Sequence, residues 1–257
     1  GDTLGTAAAL SEHFTLAYYG GDIDGAKAYA VEALALFERA GDARGASLAL
    51  GQLGNLASER GQYDRAAERY ERALELVRPI GDRRHMSTLL GNLGRIAGLR
   101  GEYDRARGLI DEGLGIVRDL EDRTSIGYFL HSLGLVSAQA GDHDAARRYF
   151  VDSLDAHAAV ESAPNVAELL ESIAEAEMVR GGADRAARLF GAAARLRDEL
   201  GVAVRPSDAP SVTAAFEAAR DALGPSEWER AFAEGRAMGR AEAVAFAARS
   251  AGEPGPS

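Results

Sequence analysis

Histidines and cysteines, the side chains most often used for metal or nucleophilic chemistry, are not arranged for either. No two histidines have the spacing that would place two imidazoles on one helical face for a metal. The histidines are His13, His85, His131, His143 and His157. The chain has no cysteine, which excludes disulfides, thiolate metal sites and a cysteine nucleophile. We therefore expect no bound metal, no cofactor and no catalytic activity.

Carboxylates are abundant, and most have arginines one helical turn away, the pattern of an exposed helix solvated through i,i+4 pairs. Glu168, Glu171 and Glu175 differ, because they lie at i, i+3 and i+7 on one helical face with no basic residue among them. This acidic face predicts a basic or amine-bearing partner. The alternative is that arginines of the last fifty residues fold over the face and neutralise it; these are Arg220, Arg230, Arg236 and Arg240.

The composition of the chain argues against nucleic-acid binding and against a membrane protein. The chain has 257 residues, 46% of them apolar, which is enough to bury a substantial core. Its formal charge of -11 would repel phosphate backbones, so direct nucleic-acid binding by this segment is not expected. No apolar run approaches the roughly 18 to 20 residues needed to cross a bilayer, and no secretion signal is present. A cytoplasmic location is predicted, and the start at Gly1 suggests a fragment of a longer protein.

A 40-residue repeat organises the chain. The motif Gly-x-x-Asp-x-Ala recurs without insertion, beginning at Gly21, Gly61, Gly101, Gly141 and Gly181. A fixed period of this size indicates stacked units that bury their apolar faces against their neighbours, so the array should fold as one domain.

Each repeat predicts two helices, A and B, separated by the motif glycine. The aspartate of the motif, such as Asp64, is expected to cap helix B, whose apolar residues follow a period of 3.6. Gly54, Gly94 and Gly134 fall within helix A, where a missing side chain would let helix B approach closely.

The order Leu53, Gly54, Gly61, Asp64, Ala66, Tyr70 and Ala73 resembles the tetratricopeptide repeat, with about six extra residues after helix B. The resemblance implies an all-α, right-handed superhelical solenoid of five helix pairs. The predicted repeats span about 1–40, 41–80, 81–120, 121–160 and 161–200. A linker over 202–210, a helical cap within 201–250 that buries Trp228, and a disordered tail over 251–257 should follow.

Residues 186–197 and 228–238 also resemble the sensor region of large actinobacterial-type ATPase and LuxR-like transcriptional regulators. No phosphate-binding loop or helix-turn-helix segment is present, so neither ATPase activity nor DNA binding carries over.

In tetratricopeptide arrays, helix A lines a concave groove that binds ligands. The groove positions implied by the resemblance are Tyr18, Tyr19, Gln52, Asn55, Asn92, Arg95, Tyr128, His131, Glu168, Glu171 and Glu175.

The sequence therefore favours a non-catalytic protein- or peptide-binding module of a bacterial signalling regulator. Two alternatives stay open: a free-standing scaffold that bridges partners, and a receptor domain for a small ligand such as a sugar. Neither the ligand nor the oligomeric state follows from the sequence.

Overall fold

A computed structural model describes residues 2–160, 162–204 and 209–249. Every regular element in these ranges is helical, so the predicted all-α class is confirmed. The helices cluster into two compact units, an amino-terminal unit of residues 1–120 and a carboxyl-terminal unit of residues 121–257. The predicted tail lies outside the described residues.

The amino-terminal unit contains three antiparallel helix pairs. These are α1 (Thr3–Tyr19) with α2 (Ile23–Ala40), α3 (Ala43–Glu59) with α4 (Tyr63–Val77), and α5 (Arg83–Leu99) with α6 (Tyr103–Asp119). A short 3-10 turn, Arg78–Ile80, follows α4.

The carboxyl-terminal unit contains two further pairs and three additional helices. The pairs are α7 (Arg123–Gln139) with α8 (His143–Ala159) and α9 (Ala163–Val179) with α10 (Ala183–Leu200). The additional helices are α11 (Ala209–Leu223), α12 (Pro225–Ala237) and α13 (Arg240–Ala248). Pro210 therefore lies in the first turn of α11 and not in a linker, as expected for a residue that tolerates a helix start.

The N-cap of helix B lies two residues before the aspartate that the motif suggested, and the helix itself begins one residue before it. Asp22 is the N-cap of α2 and accepts a hydrogen bond from the Gly25 backbone N–H at 2.9 Å, whereas Asp24 lies in the first turn. The same offset applies to Asp64, Asp104, Asp144 and Asp184. The predicted capping role of these five residues is wrong because a capping side chain must precede the first helical residue.

The glycines of helix A do permit the predicted close approach of helix B. A Cβ atom on Gly54 would lie 2.5 Å from Cε1 of Tyr70, and one on Gly94 would lie 2.6 Å from Cγ1 of Ile110. Such distances are well below van der Waals contact, so a larger residue at Gly54 or Gly94 would require the facing side chain or its helix to move. Each A–B pair is therefore built from a small residue facing a large one.

The additional helices pack on the fifth pair. Trp228 of α12 is buried and forms an edge contact with Phe216 of α11, with ring centroids 4.6 Å apart. Helices α10 and α12 cross at two glycines, Gly191 and Gly235, whose missing side chains let the backbones touch: a Cβ on Gly235 would collide with the Arg188 carbonyl. The cap is thus joined to the fifth repeat by main-chain contact as well as by aromatic packing.

Candidate functional site

A cleft of about 170 Å³ opens on the helix A side of the carboxyl-terminal unit. We call it the acidic cleft; its lining includes His131, Leu135, Phe150, Glu168, Ser172, Glu175, Val179 and Val212. Helices α7, α9 and α11 supply most of these side chains, so the first additional helix forms one wall. The lining combines carboxylates with aliphatic groups, which suits a partner side chain that has an apolar stem and a cationic end.

His131 connects two walls of the acidic cleft. Its Nδ1 lies 3.3 Å from Oε1 of Glu168, and its Nε2 lies 3.2 Å from Oγ of Ser172. The ring centroid is 5.6 Å from that of Phe150. The structure therefore brings the predicted residues His131 and Glu168 together.

Glu171 departs from its predicted role. Its residue surface is only 5% exposed, and Arg197 of α10 donates two hydrogen bonds to its carboxylate, from Nε at 2.7 Å and from Nη2 at 2.6 Å. Helix α9 supplies no cation among the three glutamates, but Arg197 reaches Glu171 from the neighbouring helix α10, and this arginine was not among those expected to neutralise the face. A buried carboxylate needs such a partner, so Glu171 supports the floor of the cleft.

Two of the four arginines that were expected to neutralise the three glutamates of α9 pair with other carboxylates. Arg230 binds Asp184, Glu227 and Glu234, and Arg236 binds Asp198 at 2.8 Å. These pairs lie along α10 and α12 and do not involve the three glutamates of α9.

Glu175 lies toward α11, where Oγ of Ser211 approaches its Oε1 at 3.4 Å. Tyr128, predicted to add an aromatic wall, does not line the acidic cleft. It is 49% exposed on α7, packs edge-on against His157 at 5.0 Å, and accepts a hydrogen bond from Nδ2 of Asn165 at 3.2 Å.

The predicted site residues of the amino-terminal unit form a separate polar group on α1, α3 and α5. Asn55 accepts hydrogen bonds from the Tyr70 hydroxyl at 2.7 Å and from Nδ2 of Asn92 at 3.3 Å. Arg95 donates to Oγ of Ser58 at 2.9 Å. Burial raises the pKa of Tyr70 to about 12, which keeps this phenol a hydrogen-bond donor at physiological pH.

The remaining three predicted residues differ in their surroundings. The Tyr18 hydroxyl donates to Glu59, and burial together with that carboxylate raises the pKa of Tyr18. Tyr19 is 83% exposed. Oε1 of Gln52 is buried and has no hydrogen-bond partner among the described residues.

Arg197 and a second buried carboxylate, Glu177, were not among the residues predicted from the sequence. Both could have been found by comparing equivalent positions of the repeats. The position of Arg197 is Val77, Val117 and His157 in the three preceding repeats, and that of Glu177 is Ala57, Ala97 and Ser137. A charge that replaces an apolar or small residue in a repeat core needs a partner, and this is the signal that identifies both.

Within the described ranges, no group of three or more histidine, aspartate or glutamate side chains is placed to hold a metal ion. Of the helices described here, none is long and apolar enough to cross a membrane.

Comparison with known proteins places the fold. Residues 45–119 match the family model for the tetratricopeptide repeat. None of the curated proteins matches the chain significantly. Together with the structural likenesses below, the match confirms a tetratricopeptide-like repeat fold.

Several solved structures share this fold. The apo form of RapI has a TM-score of 0.66 at 15% identity, over 86% of this chain and 84% of that one. A Rap protein complexed with Competence and Sporulation Factor has a TM-score of 0.65 at 14% identity, over 91% and 70% of the two chains.

A third structure is a signal transduction ATPase with numerous domains, from Pyrococcus horikoshii, that has a tetratricopeptide repeat sensor. Its TM-score is 0.71 at 12% identity, and the match covers 92% of this chain but 36% of that one. At these identities the likeness concerns the fold alone.

Proposed function

We propose that the chain is a non-catalytic protein-interaction module that binds a peptide or a partner segment on its helix A surface. The observation that supports it best is the acidic cleft, where Glu168 and Glu175 share a lining with Leu135, Val179 and Val212. Carboxylates beside an aliphatic wall favour a lysine or arginine of the partner, because the stem packs on the wall and the cation meets the acids.

The size of the cleft favours a side chain over a free small molecule. Small-molecule sites usually enclose about 300 to 1,000 Å³, whereas the acidic cleft has about 170 Å³. At the acidic cleft, this difference favours a partner side chain over a sugar.

The amino-terminal unit would contribute backbone recognition. The amides of Asn55 and Asn92 lie within 3.3 Å of each other, and each amide carries both a donor and an acceptor, as a peptide group requires. We include Tyr18, Tyr19, Gln52, Arg95 and Tyr128 in the proposed binding surface, and we assign Glu171 a supporting role.

We further propose that this module is the sensor or interaction region of a bacterial, cytoplasmic regulator of signalling or transcription. The likeness to the repeat sensor of the Pyrococcus ATPase and to Rap proteins supports this assignment. Residues 1–200 would form the five repeats and residues 201–250 the cap. No direct contact of this segment with nucleic acid is proposed, because its net charge is -11.

Selection from a display library of short random peptides tests the binding proposal. Enriched peptides should carry lysine or arginine, and their affinity should fall with added salt. Glu175→Gln should lower the affinity for these peptides about two- to fivefold, the range expected for one exposed ion pair. Glu68→Gln, at an exposed position on α4, is the matched control and should have no effect. Peptides without basic residues, or equal binding to the Glu175→Gln chain, would refute the assignment.

A further inference from the structure

Three charged side chains meet beneath the last helix of the cap, away from the lining of the acidic cleft. Glu177 of α9 is only 1% exposed. Its Oε1 accepts hydrogen bonds from Nε of Arg147 in α8 at 2.8 Å and from Nε of Arg185 in α10 at 3.0 Å. We call these three residues the arginine clamp.

The Nη2 groups of both arginines are directed at the carboxyl end of α13. Nη2 of Arg147 binds the Arg249 carbonyl at 2.6 Å. Nη2 of Arg185 binds the carbonyls of Phe246 at 2.7 Å, Ala247 at 3.1 Å and Arg249 at 2.5 Å. The last carbonyls of a helix have no partner within it and carry partial negative charge. Two arginines and one glutamate leave a formal excess of positive charge, so the clamp complements a helix carboxyl end.

Other contacts of α13 are modest. The helix has nine residues, and its buried side chains are two alanines, Ala243 and Ala247. Phe246 is partly buried, and the Arg185 guanidinium lies 4.6 Å from its ring centroid. A helix of this length is not stable alone in water, so α13 must form by docking, and the clamp supplies most of the polar contacts that hold it.

The two residues between α12 and α13 interrupt the helix. Met238 and Gly239 between the two helices are extended, with ψ angles of 131° and 164°. The helical hydrogen bonds therefore do not continue from α12 into α13, and α13 can leave without unwinding α12.

We propose that the arginine clamp is a binding site for the carboxyl end of a short helix. Helix α13 occupies this site as a reversible internal ligand, and a partner helix with the same small and aromatic residues can replace it. The inference is independent of the acidic cleft, and each can fail without the other.

Hydrogen exchange of the full chain, followed by mass spectrometry, tests reversibility. Amides of α13 should exchange at least about tenfold faster than those of α12, because α13 opens by itself. Arg185→Leu should speed exchange of α13 while leaving α12 unchanged. Arg230→Leu, which removes an exposed arginine of α12, is the control and should leave α13 unchanged. Equal exchange of α12 and α13, or equal acceleration of both by Arg185→Leu, would overturn the proposal.

Binding in trans tests the site itself. Ala247→Asp places a charge at a fully buried position and should displace α13 in the full chain. A fluorescent peptide with the sequence of residues 240–249 should then bind that variant and not the variant that also carries Arg185→Leu. A short flexible tether provides an effective concentration on the order of 1 mM, so a docked α13 implies a trans Kd no weaker than about 1 mM. Absence of binding at that concentration, with circular dichroism showing a folded chain, would refute a receptor site. If Arg185→Leu prevents folding, Arg185→Lys is the substitute variant. It keeps the positive charge but loses the forked geometry of the guanidinium, so it should weaken binding of the peptide in the same way.

Discussion

Arg60 and Asp24 meet at the surface of the amino-terminal unit at 2.7 Å, with 38% and 91% of their side chains exposed. Arg197 and Glu171 meet in the carboxyl-terminal unit at 2.6 Å, with 13% and 7% exposed. The distances are nearly equal, but the surroundings differ. Water screens the first pair and has been largely removed from the second.

Other pairs show the same difference, although the carboxyl-terminal unit also has exposed pairs, such as Arg236 with Asp198. In the amino-terminal unit, Arg72 with Glu38 and Arg78 with Glu112 are also half-exposed pairs that join successive repeats. Exposed pairs contribute only about 0 to 1 kcal/mol each, so apolar packing must hold these repeats together. In the carboxyl-terminal unit, Glu171 and Glu177 are buried, and loss of Arg197 would leave the Glu171 carboxylate without its bidentate partner.

The largest effect is expected from Arg197→Leu. Removing this guanidinium leaves the Glu171 carboxylate buried without its bidentate partner, which should lower the free energy of unfolding by about 3 to 5 kcal/mol. Urea unfolding measures the change. The double variant Glu171→Met, Arg197→Met removes both charges at similar volume and should recover most of the loss. A loss below about 1 kcal/mol in the single variant would remove the contrast between the two units.

Glycine-to-alanine substitutions should have opposite signs in the two units. Gly235→Ala adds a methyl group against the Arg188 carbonyl and should destabilise the chain by about 1 to 3 kcal/mol. Gly108→Ala, at an open position on α6, should stabilise it by about 0.5 to 1 kcal/mol, because glycine is costly within a helix. Thermal unfolding of the two variants gives the comparison. The prediction is wrong if both changes have the same sign.

Acid should lower the stability of both units, through half-buried His85 in one and buried His157 in the other. Burial lowers the pKa of His85 and of His157 below the ordinary value of 6.5. The unfolded chain then binds protons more readily than the folded one, so stability is complete above pH 6.5 and declines as pH falls toward the folded pKa. Each histidine contributes a slope of at most about 1.4 kcal/mol per pH unit.

The pH dependence of the urea midpoint checks this effect. His157→Val introduces the residue found at the equivalent positions Val77 and Val117, and it should reduce the slope below pH 6.5. A midpoint that is constant from about pH 7.5 to 5.5 would contradict the prediction.

The smallest effect is expected from Arg60→Ala. Loss of this exposed pair should change the free energy of unfolding by less than about 1 kcal/mol, and the change should vanish in about 1 M salt. A double-mutant cycle with Asp24→Ala isolates the pair. A coupling free energy above about 2 kcal/mol would show that surface pairs of the amino-terminal unit behave like buried ones.

Local signals in the sequence were sufficient to predict the helix pairs. Gly61 and Gly101 lie at the turns where the motif placed them, and their φ angles of 69° and 76° are in the left-handed region that favours glycine. The exact helix starts were missed because the aspartate is the acidic residue that all five motifs share, whereas the N-cap two residues earlier varies. The N-cap is Asp22 in the first motif but Gln62 in the second and Gly182 in the fifth, so only the backbone geometry shows where the helix begins.

The candidate site was harder to predict, because burial is a tertiary property. Helical spacing correctly put Glu168, Glu171 and Glu175 on one helix, but it does not show that α10 brings Arg197 to the middle residue. The sequence likewise does not show that α11 forms a wall of the acidic cleft through Val212, since the 40-residue period ends before this helix.

The small-to-large contact between helices A and B also has an evolutionary consequence. Gly54 accommodates Tyr70, and Gly134 accommodates Phe150, whereas the fifth repeat has Ala174 at the equivalent position and Phe190 in helix B. Recombination between repeats conserves these fits when the crossover falls at Gly41 or Gly81, because helices A and B are then inherited together. A crossover at Gly61 or Gly101 separates a glycine from the side chain it accommodates. The heritable module of this array is therefore the pair, and the turn between helices A and B is its least suitable breakpoint.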